Sequence, residues 1–347
     1  MRGIVFSERL RSPFDEGIKN VTVHLLDALS QDQEVLALTS EGANDKDHGI
    51  RNFDANRLLL SRELCSAISS FRPDWLLYVP TACGTLFSFV RMRVLAARTS
   101  ECRTAMLALQ VRPHRRWERL PVARLAPDCT FAQSRRTERA LQELGCQTAL
   151  LPPAVDSERF RPATMEEKLA LRSAYQIPAQ AVVVTHVGHL KSERNMRRLV
   201  DLQREGFHVV VVGSTSTEHE DAVSEQLRAA GATVIDRYVP SIQDVYRFSD
   251  IYMFLVEEPT AAIDLPLSVL EAMACNLPTV STPFGGLTDF FPTGSGLFYL
   301  DGRAELVDLA RRAMQTECTT RMLVQSYTWQ AAANAFRQHL FGTGAIK

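Results

Sequence analysis

Residues 266–286, PLSVLEAMACNLPTVSTPFGG, read as an apolar helix, a short strand and a pair of glycines. Glu271 is the one charged residue of the helical part. An acid near a helix start complements the positive end of the helix dipole, and that explanation needs no ligand. Gly285 and Gly286 allow a tight backbone turn after the strand. The remaining sequence has to decide whether this unit also binds something.

The same alternation of apolar runs and helix-patterned segments fills the chain. GIVFSE, EVLALTS and PDWLLYVP come early, and AVVVTHVGHL, HVVVVGS and IYMFLV follow later. Continuous apolar strands between helices favour parallel sheets covered on both faces. The stretch LPPAVDSERFRPATMEE lacks periodicity and is typical of a linker. We predict an α/β protein with two Rossmann-like, doubly wound domains facing a central cleft, residues 1–155 and 156–327, and a helix in 328–347 that returns toward the first domain.

Composition places the chain among soluble globular proteins. The 347 residues are 46% hydrophobic and 23% charged. No run approaches the roughly 18–20 apolar residues of a membrane helix, and the first residues lack the apolar core of a secretory signal. The seven cysteines are scattered and form no CxxC pair. We therefore expect free thiols, a cytoplasmic location and no zinc site.

Positive charge is concentrated in residues 87–139, which contain twelve arginines against four acidic residues. A solvated basic face explains this, and so does contact with an anionic acceptor or an anionic membrane surface. A nucleic-acid partner is not expected, because the net charge is only −1 and no stacking motif accompanies the arginines. The second interpretation predicts peripheral contact with the inner face of a membrane.

Three segments of the sequence, in this order, resemble the retaining GT-B glycosyltransferases of the family-4 type. They are LPPAVDSERFRP, GHLKSERN and LPLSVLEAMACNLPTVSTPFGG. The resemblance covers most of residues 127–335. It implies a nucleotide-sugar held mostly by the second domain and sugar transfer with retention of configuration. It also implies an acceptor that is a saccharide, a lipid-linked molecule or a small molecule, with no cofactor and no metal.

GHLKSERN follows a predicted strand and supplies groups for a diphosphate. Gly188 suits the turn, and His189 and Arg194 add positive charge where the leaving diphosphate becomes more negative. In the resembling family an arginine stands at the place of His189 and a lysine at that of Arg194. Arg194 keeps the charge, whereas a histidine is only partly charged near neutral pH. A plain strand-to-helix turn with solvated charges is the alternative.

The PLSVLEAM helix start supplies the other donor contacts. The free backbone N–H groups of Leu267 and Ser268 suit a phosphate. Glu271, one turn later, accepts hydrogen bonds and would hold the two ribose hydroxyls, the role that the resemblance implies. The resemblance adds three further donor contacts, at Gly17, Tyr238 and Val239.

The acceptor side has weaker signals. Gln110 stands where the family often has a histidine, and His114 follows four residues later. Either side chain could touch the acceptor, or both could belong to an ordinary polar loop. Asp45-Lys46-Asp47 matches the DxD metal motif of another glycosyltransferase fold, but it lies in the polar run SEGANDKDHG. We interpret it as a surface turn.

One position departs from the family pattern, which has two glutamates separated by seven residues. Counting back from Glu271 puts the first at Ile263. Asp264 is the nearest replacement carboxylate and is expected in the catalytic site, with Glu257 and Glu258 earlier in the same loop. The loss leaves two alternatives to a transferase: a non-catalytic GT-B binding subunit, and a sugar-nucleotide epimerase.

Overall fold

The computed structural model describes residues 1–81, 83–99, 101–110, 112–215, 220–300, 302 and 306–342. The chain divides into two compact units. The first unit is Met1–Pro153 together with the segment from Trp329 onward, and the second is Ala154–Thr328. Each unit is built around a parallel sheet with its own hydrophobic core.

The first unit contains a seven-stranded sheet. Its strands are β1 (Arg2–Phe6), β2 (Glu34–Thr39), β3 (Ile50–Asn52), β4 (Trp75–Tyr78), β5 (Arg103–Ala108), β6 (Cys129–Ala132) and β7 (Thr148–Leu150). Their order is β3-β2-β1-β4-β5-β6-β7, and all neighbours are parallel. Every residue of β4 and β6 is buried, as expected for strands covered on both faces. The sequence analysis missed β3, because IRN is too short and polar to show a strand pattern.

Five helices connect these strands. They are α1 (Gly17–Ser30), α2 (Arg62–Phe71), α3 (Leu86–Ala96), α4 (Arg119–Leu125) and α5 (Arg135–Glu143). Ser61, Thr85 and Ser134 cap α2, α3 and α5, because each side-chain oxygen accepts a backbone N–H that the helix leaves unpaired. These caps fix the helix starts at the carboxyl edge of the sheet.

The second unit contains a six-stranded sheet. Its strands are β8 (Val183–Gly188), β9 (His208–Gly213), β10 (Thr233–Ile235), β11 (Ile251–Phe254), β12 (Thr279–Ser281) and β13 (Leu297–Tyr299). Their order is β10-β9-β8-β11-β12-β13, again all parallel. The chain leaves β8 toward β9 and leaves β11 toward β12, so the order reverses between β8 and β11. Ligands of doubly wound sheets bind at such a point, outside the carboxyl ends of the strands.

Within the described residues, the second unit has eight helices. They are α6 (Met165–Ala174), α7 (Leu199–Arg204), α8 (Asp221–Ala229), α9 (Ile242–Phe248), α10 (Leu267–Ala274), α11 (Leu287–Phe290), α12 (Leu306–Gln315) and α13 (Thr320–Val324). Asp250, just before β11, accepts from Lys168 at 2.5 Å and from Arg172 at 2.6 Å, both on α6. The same carboxylate accepts from the backbone N–H of Val183 at 2.7 Å. One acid therefore ties α6 to the starts of both central strands.

A last helix, α14 (Trp329–Phe341), belongs to the first unit. It packs against α1. The ring of Phe336 lies 5.4 Å from that of Trp75 and 5.2 Å from that of Phe131, between centroids. Arg337 donates to both carboxylate oxygens of Asp32, at 2.5 and 2.7 Å. Across the described ranges, every helix is too short or too polar to cross a bilayer.

Gly285 marks the tightest backbone approach in the second unit. Its φ is +55°, and a Cβ there would lie 2.2 Å from the carbonyl oxygen of Asp264. That carbonyl accepts the N–H of Gly286 at 2.8 Å. The loop after β12 is thus held against the loop before α10, and only glycine fits.

We predict that Gly285→Ala lowers the free energy of unfolding by at least about 3 kcal/mol, because left-handed strain and a backbone overlap add together. Gly206→Ala is the matched control, since its φ is +90° and nothing lies within 4 Å of a Cβ there. Strain alone should cost that variant about 1–2 kcal/mol. Urea unfolding followed by circular dichroism measures both, and equal losses would show that the contact with Asp264 is unimportant.

Candidate functional site

Tyr252 on β11 is the centre of the polar groups at the switch point. Its ring is fully buried, and its hydroxyl lies 3.5 Å from the carbonyl oxygen of Val187, at the end of β8. Ser268, at the start of α10, is within hydrogen-bonding reach of the same hydroxyl. Burial raises the pKa of Tyr252. The negative charge of Glu271 raises this pKa further, whereas the positive charge of Arg194 lowers it. The two motif regions predicted from sequence therefore meet around this phenol.

The start of α10 leaves its first N–H groups available. Pro266 occupies the N-cap position, and no side chain caps the helix. Leu267 and Ser268 are only partly buried, and the first turn carries no acid. Unpaired N–H groups and the positive end of the helix dipole together attract an anion. Both residues are therefore partly accessible at the helix start, and their contact with a phosphate remains a prediction.

Glu271 lies one turn into α10 and is partly buried. Its carboxylate accepts a hydrogen bond of 2.6 Å from the hydroxyl of Tyr246, on α9. Burial raises the pKa of Glu271, while the Tyr246 hydrogen bond and the charge of Arg159 oppose that rise. The ring of Phe160 packs edge-on against Tyr246 at 5.8 Å between centroids. The hydrogen bond therefore fixes the orientation of Glu271, and the Phe160 ring supports the Tyr246 ring that makes it.

Arg194 is buried, although a solvated turn was the alternative for this segment. It ends a short 3₁₀ turn, Ser192–Arg194, and its Nη2 donates to the carbonyl oxygen of Ala261. Its Nη1 comes within 2.7 Å of the position that a Cβ would take on Gly188. Its buried Nε has no hydrogen-bond partner within the described part of the chain. Burial lowers the pKa of the guanidinium, which stays charged at neutral pH. Gly188 and Arg194 are thus brought together at the end of β8.

His189 lies between these two residues in sequence and is half-buried. Its backbone carbonyl accepts from the N–H of Lys191 at 3.0 Å, which closes the turn. His189 also makes a further interaction within the fold. The geometry keeps His189 next to the Gly188 turn, the place where the family has an arginine.

His186 is a site residue that the sequence analysis missed. It is two residues before Gly188 on β8 and points to the same face of the sheet. Its Nδ1 lies 2.8 Å from the carbonyl oxygen of Met253, so this nitrogen carries the proton in the neutral ring. Its buried Nε2 has no hydrogen-bond partner among the residues that the structure describes, and it comes within 3.0 Å of the Cβ position of Gly188. Burial lowers the pKa of His186 to about 4. The only signal in the sequence was one histidine in a valine-rich strand.

The loop before α10 contains the departure from the family pattern. Ile263 and Asp264 are both buried, and Asp264 has a further interaction within the fold. Glu257 and Glu258 are exposed. Glu257 is 3.8 Å from Arg198, and Glu258 accepts from the hydroxyl of Thr260 at 2.9 Å. Of these carboxylates, Asp264 is the buried one that adjoins the candidate site.

Tyr238 and Val239 follow β10 at the same carboxyl edge. Tyr238 is exposed and Val239 is buried. Val239 packs in a core cluster with Val212, from the end of β9. The backbone of this segment is therefore anchored, while the tyrosine ring remains available for contact.

Three predicted residues lie in the first unit. Gly17 is the first residue of α1, and the preceding Glu16 provides no side-chain cap. Gln110 is buried beyond β5 and accepts from Arg112 at 3.0 Å. His114 pairs with Glu118 at 3.4 Å, and burial lowers its pKa. Gln110 and His114 thus lie in one loop after β5.

Asp45 forms a turn, as the sequence analysis expected for the Asp45-Lys46-Asp47 motif. Its carboxylate accepts from the backbone N–H groups of Asp47 and His48, at 3.0 and 3.2 Å. Among the residues that the structure describes, no three His, Cys, Asp or Glu side chains are grouped as a metal site would require. Metal independence remains a prediction.

Burial of neutral His186 predicts a loss of stability in acid. The unfolded histidine, with a pKa near 6.5, binds a proton that the folded one, near 4, does not, so stability falls as pH falls between these values. We expect the His186 contribution to the free energy of unfolding to drop by about 2–3 kcal/mol between about pH 7.5 and 4.5. His186→Phe keeps a ring and should lose this part of the pH dependence. Urea midpoints at both pH values measure it, and identical pH profiles would refute the burial of a neutral imidazole.

With the geometry established, comparison with known proteins identifies the fold. Residues 181–316 match the family model described as glycosyl transferases group 1. Sucrose-phosphate synthase from Thermosynechococcus elongatus superposes with a TM-score of 0.75 at 16% identity, covering 98% of both chains. Anabaena HepE in complex with UDP gives 0.73 at 14% identity, covering 98% of this chain and 96% of HepE.

A curated relative matches at the level of sequence. The D-inositol 3-phosphate glycosyltransferase of Corynebacterium jeikeium is 26% identical, over 56% of this chain and 51% of its own length. The chain thus matches about half the length of this curated relative. The predicted fold class is confirmed, because the chain has the GT-B fold. The predicted family is confirmed as a match of residues 181–316, in the second unit, to the group 1 glycosyl transferases, whereas retention of configuration remains a prediction.

Proposed function

We propose that the protein is a glycosyltransferase that takes a sugar from a nucleotide-sugar and transfers it with retention of configuration. One observation carries this proposal: Arg194 lies against Gly188 at the end of β8, and the uncapped start of α10 and Glu271 follow β11, the neighbouring strand at the switch point. A buried cation, free N–H groups and an oriented carboxylate are the three partners that a nucleoside diphosphate needs.

The diphosphate is assigned to Arg194 and to the backbone N–H groups of Leu267 and Ser268. Negative charge grows on this leaving group as the glycosidic bond breaks. Fixed donors in a buried site stabilise that charge without having to reorganise during the reaction. Because these positive groups belong to the protein itself, the proposal includes independence from a metal ion.

The nucleoside is assigned to Glu271 and to the Tyr238–Val239 segment. The two ribose hydroxyls donate to the Glu271 carboxylate, and the base lies against the segment after β10. Solved neighbours of this fold contain UDP and UDP-glucose, so uridine nucleotides are the first donors to test. Gly17 completes the donor contacts in this proposal, and Gln110 and His114 serve the acceptor.

A binding subunit without transferase activity is the second candidate, and Ile263 is the observation that favours it. A sugar hydroxyl left without an acceptor in a dry site costs about 1–3 kcal/mol. Isoleucine provides no acceptor, so a transferase needs a replacement. We assign that role to the Asp264 carboxylate.

We predict that Glu271→Gln weakens UDP binding about 10- to 100-fold, because hydrogen bonds to a charged group contribute about 1.5–3 kcal/mol. Glu258→Gln, an exposed carboxylate on the neighbouring loop, is the matched control and should bind as wild type does. Thermal shift and calorimetry with UDP, GDP and ADP in EDTA measure the affinities. Unchanged affinity in Glu271→Gln, or binding that requires added Mg²⁺ or Mn²⁺, would contradict the assignment.

We predict that Asp264→Asn lowers sugar transfer at least tenfold while nucleotide affinity stays within about threefold, since affinity depends on Glu271. The melting temperature must be measured as well, because Asp264 is buried. Wild-type turnover in a folded Asp264→Asn variant would remove this residue from the reaction. No turnover in wild type, together with nucleotide-sugar hydrolysis gained in Ile263→Glu, would establish the binding subunit instead.

A further inference from the structure

A group of exposed apolar side chains lies within the basic part of the first unit. Phe87, Trp117 and Leu120 are 63%, 59% and 67% exposed. Trp117 lies in a 3₁₀ turn, Arg116–Glu118, which continues directly into α4, and Leu120 follows three residues later. At this helical spacing the two side chains share one side of the segment. Large apolar side chains grouped at a surface mark an interaction site more often than isolated ones do.

The topology brings Phe87 to the same corner. It lies in the first turn of α3, which follows β4, whereas Trp117 and Leu120 lie at the entrance to α4, which follows β5. β4 and β5 are neighbouring parallel strands, so both helix starts lie at the same edge of the sheet. α3 and α4 also pack against each other. We call Phe87, Trp117 and Leu120 the Trp117 patch.

The Trp117 patch is not a misplaced part of the core. Val122 of α4 is completely buried, and Leu125 packs against the same core cluster. α4 is therefore already docked through its inner side. The outward direction of Trp117 and Leu120 leaves their apolar surface in contact with water.

Unpaired positive charge surrounds this patch. Residues 112–124 contain five arginines and one acid, Glu118. No described residue forms an ion pair with Arg115, Arg116, Arg119 or Arg124. Glu118 pairs with His114 at 3.4 Å and accepts the N–H of Arg115 at 2.7 Å, so it caps its own loop. Elsewhere in the basic region, Arg91, Arg103 and Arg135 are paired with Glu8, Asp128 and Glu138.

We propose that the Trp117 patch and its arginines dock the first unit onto an anionic lipid bilayer. Tryptophan, phenylalanine and leucine side chains bury themselves at the boundary between headgroups and acyl chains. Arginine stems lie along that boundary while their guanidinium groups reach lipid phosphates. A nucleic acid would satisfy the arginines but would leave Leu120 and Phe87 exposed. Insertion is shallow, because α4 has only seven residues.

The test uses the full chain and extruded vesicles of neutral phosphatidylcholine, with or without about 30% anionic phosphatidylglycerol. We expect at least tenfold stronger co-sedimentation with the anionic vesicles, weakened by about 0.5 M NaCl through screening. Trp117→Ser/Leu120→Ser and Arg116→Glu/Arg119→Glu should each lower binding at least tenfold. Met165→Ser/Met322→Ser and Arg204→Glu/Arg228→Glu change exposed side chains of the second unit and should bind as wild type.

Three outcomes would overturn the proposal. One is wild-type chain that does not sediment with anionic vesicles. Another is unchanged binding by a folded Trp117→Ser/Leu120→Ser variant, which would leave an ordinary basic face. The third is tighter binding to single-stranded nucleic acid than to the vesicles, lost in the arginine variant. In wild type, a blue shift of tryptophan emission on adding vesicles supports burial of Trp117, and its absence counts against it.

Discussion

The central strands of the second unit are buried on both faces, and this burial leaves only their carboxyl ends for polar chemistry. Val209 to Val212 on β9 and all of β11 lie in the core. A polar group in the middle of such a strand would need a partner within the sheet layer. Gly188, Arg194, the start of α10 and Glu271 therefore gather at one edge, where the strands give way to loops. The tyrosines at positions 246 and 252 bring apolar rings to the core and hydroxyls to that edge.

Burial also determines how strongly this edge interacts with charge. Arg194 and Glu271 both lose solvation. This loss lowers the pKa of Arg194 and raises the pKa of Glu271, so both shifts favour the neutral form. The free-energy cost of this desolvation is partly offset by hydrogen bonds, from Arg194 to the carbonyl of Ala261 and from the hydroxyl of Tyr246 to Glu271. Among the described residues, the Nε of Arg194 and the Nε2 of the neutral His186 ring have no hydrogen-bond partner, and both side chains lie beside Gly188. Such groups are already oriented, so an incoming ligand with complementary atoms meets little reorganisation.

The sequence predicted those parts of the molecule that local pattern controls. Apolar runs between helical segments gave the two parallel sheets, because strands covered on both faces cannot alternate with polar residues. Gly188, Arg194 and Glu271 were predicted as candidate site residues because they belong to short motifs that follow a strand or begin a helix. His186, Tyr246 and Tyr252 were missed because buried aromatic residues look like core from sequence alone. Their polar atoms acquire a role only beside neighbours more than twenty residues away, such as Met253, Glu271 and Val187.

The contacts of α14 impose an order on synthesis. Phe336 covers Trp75 and Phe131, yet all of residues 154–328 are translated before it. While the ribosome makes those residues, the sheet of the first unit has its strands but lacks one of its covering helices. The second unit is continuous and can fold as soon as it emerges. The unit that begins first is thus completed last, and the rings of Trp75 and Phe131 lack their Phe336 contact until the second unit has been made.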